Sequence, residues 1–123
     1  MSITYKPQTI RETKERMLAM PDHWQVPFMD FVDDFRRTKD PSVLNEPFQL
    51  NHEHWDALLA STIEYLCQEQ TMEPPYWVKN VPACTEPWFV SGMESLRAIA
   101  LVESPSAFRA RKIFILANFL DRL

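Results

Sequence analysis

The sequence predicts an all-α fold, a compact bundle of about five to six helices forming a single helical domain over residues 1–123. The chain has one glycine and ten prolines, whereas sheets and tight hairpins usually need glycine in turns with positive φ. Apolar residues recur at helical spacing in several segments. Four Trp and eight Phe in 123 residues supply one hydrophobic core, and the chain is too short for two.

The first two helices follow from this spacing. The first is predicted from about Thr9 to Met20, with Thr9 as the N-cap. The second is predicted from near Trp24 to Arg37, because Pro27 fits only in its first turn. Its apolar stripe comprises Trp24, Phe28, Phe31, Val32 and Phe35.

A third helix is predicted from His52 to Gln70, after a short helical piece that Asp40-Pro41 opens and Pro47 ends. Asn51 is the expected N-cap. The buried face comprises Trp55, Leu58, Leu59, Thr62, Ile63, Leu66 and Cys67.

The segment from Thr71 to Phe89 predicts a loop that wraps the helical body. Its four prolines forbid a long helix, and its aromatic residues supply anchors. Loops of this length in small domains are often functional.

The next helix is predicted from Met93 to Glu103, after a capping box in which Ser91 is the N-cap. It is apolar nearly all round, which predicts a central, buried helix. Trp24, Trp55 and Leu101 are accordingly expected to be largely buried.

Beyond this helix, Ser104-Pro105 predicts the cap of another short helix. Two alternatives remain open for residues 105–123. The chain continues as one helix, or it breaks near Lys112, extends through Ile113 to Ile115 and returns to helix.

Charge is distributed unevenly. The net charge is −4, yet residues 104–123 hold four cations and one carboxylate. An acidic body repels nucleic acid at long range, while a small basic patch can dock an acidic partner. No apolar run reaches the length of a membrane span, the N-terminus lacks the apolar core of a signal peptide, and two Cys show no framework spacing. A cytoplasmic protein without membrane association is therefore expected.

Metal, cofactor and catalytic sites are not predicted. His52 and His54 are two residues apart, which points their rings in different directions on a helix. Cys67 falls on an apolar face, and nothing beside Cys84 except Lys79 would activate its thiol. A single glycine rules out a phosphate-binding glycine loop.

Five residues are candidates for contact with a partner, because they combine exposed-type aromatics with clustered cations. They are Trp77, Trp88, Arg109, Arg111 and Lys112. The cations have two other interpretations: a helix-turn-helix that binds DNA, and ion pairs of Arg97 and Arg109 with carboxylates inside the fold. The acidic chain and the short second helix disfavour DNA.

Several stretches together resemble a family of small, uncharacterised, all-α bacterial proteins. They are Asp33–Pro41, Trp55–Ala60, a proline–tryptophan element, Glu86–Phe89, Ser95–Ala98, Ser104-Pro105 and Phe108–Phe114, within about residues 31–123. Such proteins appear next to genes that resemble nucleotidyltransferase toxins. The resemblance therefore implies a toxin–antitoxin-like or partner-protein role, and it carries no catalytic residue. The family often has a small residue near position 112, where this chain has Lys112.

The leading functional hypothesis is a protein-binding module, an antitoxin-like or regulatory partner of a neighbouring enzyme that acts by covering its surface. One alternative is a nucleic-acid-binding protein that uses the basic C-terminal patch. Another is a small enzyme with a site between loop 71–90 and the helices, using Cys84 or His54. The identity of the partner and the oligomeric state do not follow from the sequence.

Overall fold

The structure, a computed structural model, describes residues 6–121. These residues are mostly helical, as the sequence predicts, and they include one sheet of two short strands. Contacts divide the chain into two compact units, residues 1–49 and residues 50–123. Each unit contains its own buried apolar side chains. The single domain expected from the sequence stays a prediction.

Helix α1 of the first unit runs from Ile10 to Ala19, close to its predicted bounds. The Thr9 hydroxyl accepts a hydrogen bond from the backbone N–H of Glu12 at 3.1 Å, so the predicted cap is present. A 3-10 turn over Pro21–His23 follows, because proline starts a helical turn but cannot continue α1.

Helix α2 runs from Gln25 to Thr38 and buries the predicted stripe except for Trp24, which is half-buried. The rings of Trp24 and Phe28 form a T-shaped pair, with centroids 5.8 Å apart. The helix ends at Thr38, and the C-cap residue Lys39 follows with a left-handed φ of 53°. Asp40 then caps a 3-10 turn over Pro41–Leu44, as the sequence predicts for a short piece.

The second unit is built on helix α3, Glu53–Glu69, which has eleven buried residues. Its N-cap is His52, so the prediction of Asn51 is wrong. Nδ1 of His52 accepts from the N–H of Trp55 at 3.2 Å, and the carboxylate of Asp56 accepts from the N–H of His52 at 2.9 Å. The imidazole also stacks on the Trp55 ring at 4.1 Å. Sequence rules favour Asn as a cap, but the stacking holds the histidine ring where it caps instead.

The predicted loop is present, and a 3-10 helix over Tyr76–Asn80 interrupts it. Its end forms strand β1, Trp88–Phe89, which pairs in parallel with strand β2, Ile113–Phe114. Two backbone bonds extend this pairing, from Cys84 N–H to Arg111 C=O at 3.0 Å and from Val90 N–H to Phe114 C=O at 3.1 Å. Backbone pairing with the C-terminal segment therefore pins the loop, in addition to its aromatic side chains.

Helix α4, Arg97–Glu103, is not the central buried helix that the sequence predicts. Ala100 is its one buried residue, and Leu101 is 47% exposed. Ser91 does not cap it, because a 3-10 turn over Glu94–Leu96 precedes it. With seven residues, α4 is too short to cross a core that the long helix α3 already fills. Trp55, by contrast, is buried as predicted, at 7% exposure.

The C-terminal segment breaks at Lys112, whose φ is 62°. Helix α5, Ser106–Arg109, is short, and its N-cap is Pro105 rather than Ser104. The extended alternative for residues 113–115 is therefore the one observed. Residues 117–120 form a turn instead of the predicted helix from Leu116 to Leu123, whose last two residues lie outside the described part of the chain.

Candidate functional site

The outward side of α4 is an apolar surface, which we call the α4 face. At about 100° per residue, its side chains cover an arc of about 160°, and Ala100 lies on the opposite, buried side. The α4 face comprises Ala98, Ile99, Leu101 and Val102. Val102 is 81% exposed and Ile99 is 46% exposed. The Val102 side chain, at this exposure, contributes little packing to the fold.

Large apolar side chains that are exposed are concentrated near this helix. The described residues include eight of them, and four fall between positions 93 and 102. These four are Met93, Ile99, Leu101 and Val102. Single exposed apolar residues are ordinary, whereas clusters mark interaction surfaces. Neither composition nor local spacing distinguished this surface from a core, so its residues were not among those predicted to contact a partner.

Ser104 fixes the buried side of α4 to the extended C-terminal segment. Ser104 is 2% exposed, and its hydroxyl accepts from the N–H of Ile115 at 2.8 Å. The hydroxyl lies 2.6 Å from the carbonyl oxygen of Ala100 and 3.1 Å from that of Ile115, and its one proton serves either acceptor. Because these bonds hold the inner side, the apolar side of α4 points away from the segment that anchors it.

An aromatic pair and a cation lie at the start of α4. Phe89 of β1 stacks on Phe114 of β2, with centroids 5.0 Å apart. The guanidinium carbon of Arg97 lies 5.0 Å from the Phe89 centroid, which is within cation–π range. Arg97 forms no ion pair with any described residue. The α4 face therefore has an unpaired positive charge at one end.

Glu103 lies at the other end of α4. Its carboxylate accepts a hydrogen bond from the N–H of Ala117 at 2.6 Å. One hydrogen bond of the Glu103 carboxylate is therefore made inside the second unit.

Arg111, one of the five predicted contact residues, lies inside the second unit at 6% exposure. Its Nη1 lies 2.5 Å from the carboxylate of Glu64 on α3. Its Nε and Nη2 donate to the carbonyl oxygens of Val81 and Val78 at 3.2 and 2.8 Å. The structure therefore shows an ion pair inside the fold at Arg111, whereas the sequence placed such pairs at Arg97 and Arg109.

The other two predicted cations are exposed. Arg109 has no ion pair among residues 6–121. Lys112 makes one long hydrogen bond, from Nζ to the carbonyl oxygen of Thr85 at 3.4 Å. Both side chains remain accessible to a partner.

The predicted aromatics Trp77 and Trp88 are half-buried. The Trp88 ring stacks on His54 with centroids 4.5 Å apart and planes 7° apart. The backbone N–H of Trp88 donates to the carbonyl oxygen of Lys112 at 2.8 Å. The structure thus brings Trp88 and Lys112 together at the strand pair. Trp77 lies apart from them in sequence, in the 3-10 helix Tyr76–Asn80. Binding by these residues stays a prediction.

The thiols are in environments that oppose nucleophilic chemistry. Burial raises the pKa of Cys67 to about 11, with a smaller contribution from Glu64. Burial and the nearby Glu53 also raise the pKa of Cys84, which is 2% exposed. Both groups are therefore protonated near neutral pH, and a protonated thiol is a poor nucleophile.

A cleft of about 320 Å³ lies between α3 and the loop, where the sequence placed a hypothetical enzyme site. Its lining contains neither cysteine nor histidine. The lining residues are Glu64, Glu73, Pro74, Pro75, Tyr76, Val78 and Lys79. Across residues 6–121, no group of three His, Cys, Asp or Glu side chains is arranged to hold a metal ion.

Within the described part of the chain, every helix is too short or too polar to span a membrane. Comparisons of the chain with protein-family models, with curated proteins and with solved structures each return no match.

Proposed function

We propose that this chain is a protein-binding module that uses the α4 face to dock on a protein partner, as an antitoxin-like or regulatory partner of an enzyme encoded beside it. The observation that supports the proposal is the exposure of Ile99, Leu101 and Val102 on a helix whose inner side is anchored. The enzyme as partner follows from the resemblance described above.

The chemistry of the α4 face favours a protein over a nucleic acid. Its centre is apolar and its nearest cation lies at one end, which is the arrangement of a protein interface with an apolar core and a polar rim. In the second unit, described carboxylates outnumber cations by nine to five. Since Arg111 is internal, fewer cations remain to neutralise phosphates.

Docking would bury side chains that now contact water. Covering one valine or leucine side chain stabilises a complex by roughly 1.5–3 kcal/mol before the costs of association. Val102 is the most exposed apolar residue of α4, so docking can bury the largest fraction of its surface. We therefore expect Val102 to lie at the centre of the interface.

A photo-crosslinking amino acid at position 102 tests the proposal in the native cell. We expect one predominant adduct, identified by mass spectrometry as the product of the adjacent gene. The same residue at position 26 is the control, because Val26 is also apolar and is 50% exposed, but on α2. Equal labelling from both positions would indicate non-specific contact.

Substitution provides the second part of this test. Val102→Asp should prevent co-purification of the crosslinked partner, while Val26→Asp should preserve it. If the Val102→Asp protein is folded and retains the partner, the α4 face is not the docking surface.

A further inference from the structure

The charges of the segment from α4 to Lys112 differ in sign from those of the segment that precedes it in the second unit. Residues 50–96 carry seven carboxylates and one cation, Lys79. From Arg97 to Lys112 the order reverses, with four cations and one carboxylate. Arg111 is satisfied internally, which leaves Arg97, Arg109 and Lys112 exposed. None of these three has an ion pair among the described residues.

The one carboxylate in this stretch, Glu103, accepts the N–H of Ala117 and keeps its negative charge at the C-terminal end of α4. The positive charge of the α4 face therefore lies at its N-terminal end, at Arg97. A partner with carboxylates at the border of its own apolar surface would find complementary charge here, whereas a basic partner would be repelled. The acidic remainder of the unit would repel the same carboxylates, which favours docking at α4 over other parts of the unit.

The shape of the α4 face points to a helix as the partner element. Ala98, Leu101 and Val102 have the i, i+3, i+4 spacing that forms a ridge along a helix. Such ridges pack into the grooves between the ridges of another helix. A seven-residue helix is about 10 Å long, which is enough for two turns of a partner helix.

From these observations we infer that the α4 face binds an amphipathic helix of the partner whose apolar stripe is bordered by carboxylates, with Arg97 facing those carboxylates. This inference rests on the proposed function and adds the chemical class of the partner element. Arg97 lies one turn before Leu101, at the edge of the α4 face. Its charge therefore sets the position of the partner helix along α4.

Two designed peptides test the inference without the native partner. Both are helical and share one leucine–alanine stripe; glutamates border the stripe in the first and lysines in the second. Fluorescence anisotropy measures their binding to the full chain. We expect the glutamate peptide to bind about fivefold to tenfold more tightly at low salt, the range for a few exposed charge pairs. The preference should shrink as salt is added.

Variants assign the preference to residues. Arg97→Glu should remove the preference, whereas Lys79→Glu, which changes an exposed cation elsewhere in the unit, should preserve it. Val102→Asp should weaken both peptides, and Val26→Asp neither. A lysine peptide that binds as tightly as the glutamate peptide, or an unchanged preference in Arg97→Glu, would overturn the inference.

The inference would also be overturned if neither of the two peptides bound the chain. The proposed function is judged separately, by the native complex. If Val102→Asp abolishes that complex while neither peptide binds the wild-type chain, the docking surface stands and the acidic helix is wrong. If neither peptide binds and the Val102→Asp protein still forms the native complex, both proposals fail.

Discussion

Arg111 and Glu64 form an ion pair inside the second unit, with 2.5 Å between Nη1 and Oε1. The Arg111 side chain is 8% exposed and that of Glu64 is 31% exposed. The same guanidinium donates to two carbonyl oxygens of the loop, at Val78 and Val81. One side chain thus connects α3, the wrapping loop and the segment that leads into β2.

Arg111→Ala should lower the free energy of unfolding by about 3 kcal/mol, because the Glu64 carboxylate and the Val81 carbonyl lose this donor. The Val78 carbonyl keeps the backbone N–H of Val81 at 3.0 Å. Urea denaturation monitored by tryptophan fluorescence measures this change. Arg109→Ala is the matched control, since Arg109 is exposed and has no ion pair among the described residues; its effect should stay within about 0.5 kcal/mol. Equal effects of the two substitutions would contradict the internal role of Arg111.

Ser104→Ala should lower the free energy of unfolding by about 1–3 kcal/mol, because the buried N–H of Ile115 loses its acceptor. Hydrogen exchange of that amide should accelerate, and this local readout separates the loss of the bond from a general destabilisation. Ser106→Ala removes an exposed hydroxyl at the start of α5 and serves as the control. An unchanged exchange rate at Ile115 in the Ser104→Ala protein would show that the bond is absent in solution.

Val102→Ser should change the free energy of unfolding by no more than about 0.5 kcal/mol, since an 81% exposed side chain contributes little packing. Leu58→Ala, on the buried face of α3, should cost about 2–5 kcal/mol. Thermal and urea unfolding of both variants checks the contrast. If Val102→Ser destabilised the protein as strongly as Leu58→Ala, α4 would be the central helix that the sequence predicted.

The sequence predicted the long helices well because each carries its own period. In α2 and α3, apolar residues recur every three to four positions over several turns. The local pattern therefore agrees with the burial that the structure shows. The loop was also predictable, because prolines at 74, 75, 82 and 87 forbid a long helix whatever the neighbours are.

The candidate site was less predictable, because it depends on which elements compete for the core. Ile99 to Val102 have the composition of a buried helix, yet α3 already fills the interior of its unit, and α4 remains outside. Arg111 shows the reverse case. Next to Lys112 in sequence it belongs to a basic patch, but three acceptors from other segments hold it inside. Neither outcome is encoded in local spacing.

The thiols give a pH-dependent prediction. Burial raises the pKa of Cys67 from an ordinary 9.0 to about 11, and that of Cys84 in the same direction. The folded state therefore holds these protons more tightly than the unfolded state, and the resulting stabilisation is present below the ordinary thiol pKa and lost as pH rises towards the raised value. We expect slow reaction of both thiols with iodoacetamide at neutral pH and full reaction in denaturant. The urea concentration at the midpoint of unfolding should decrease as the pH rises from about 9 to 11. Since tyrosine and lysine also titrate there, the Cys67→Ala variant is the comparison, and its midpoint should fall less steeply with pH. Rapid alkylation of the folded chain at neutral pH would show that a thiol is accessible and ionised, contrary to its burial.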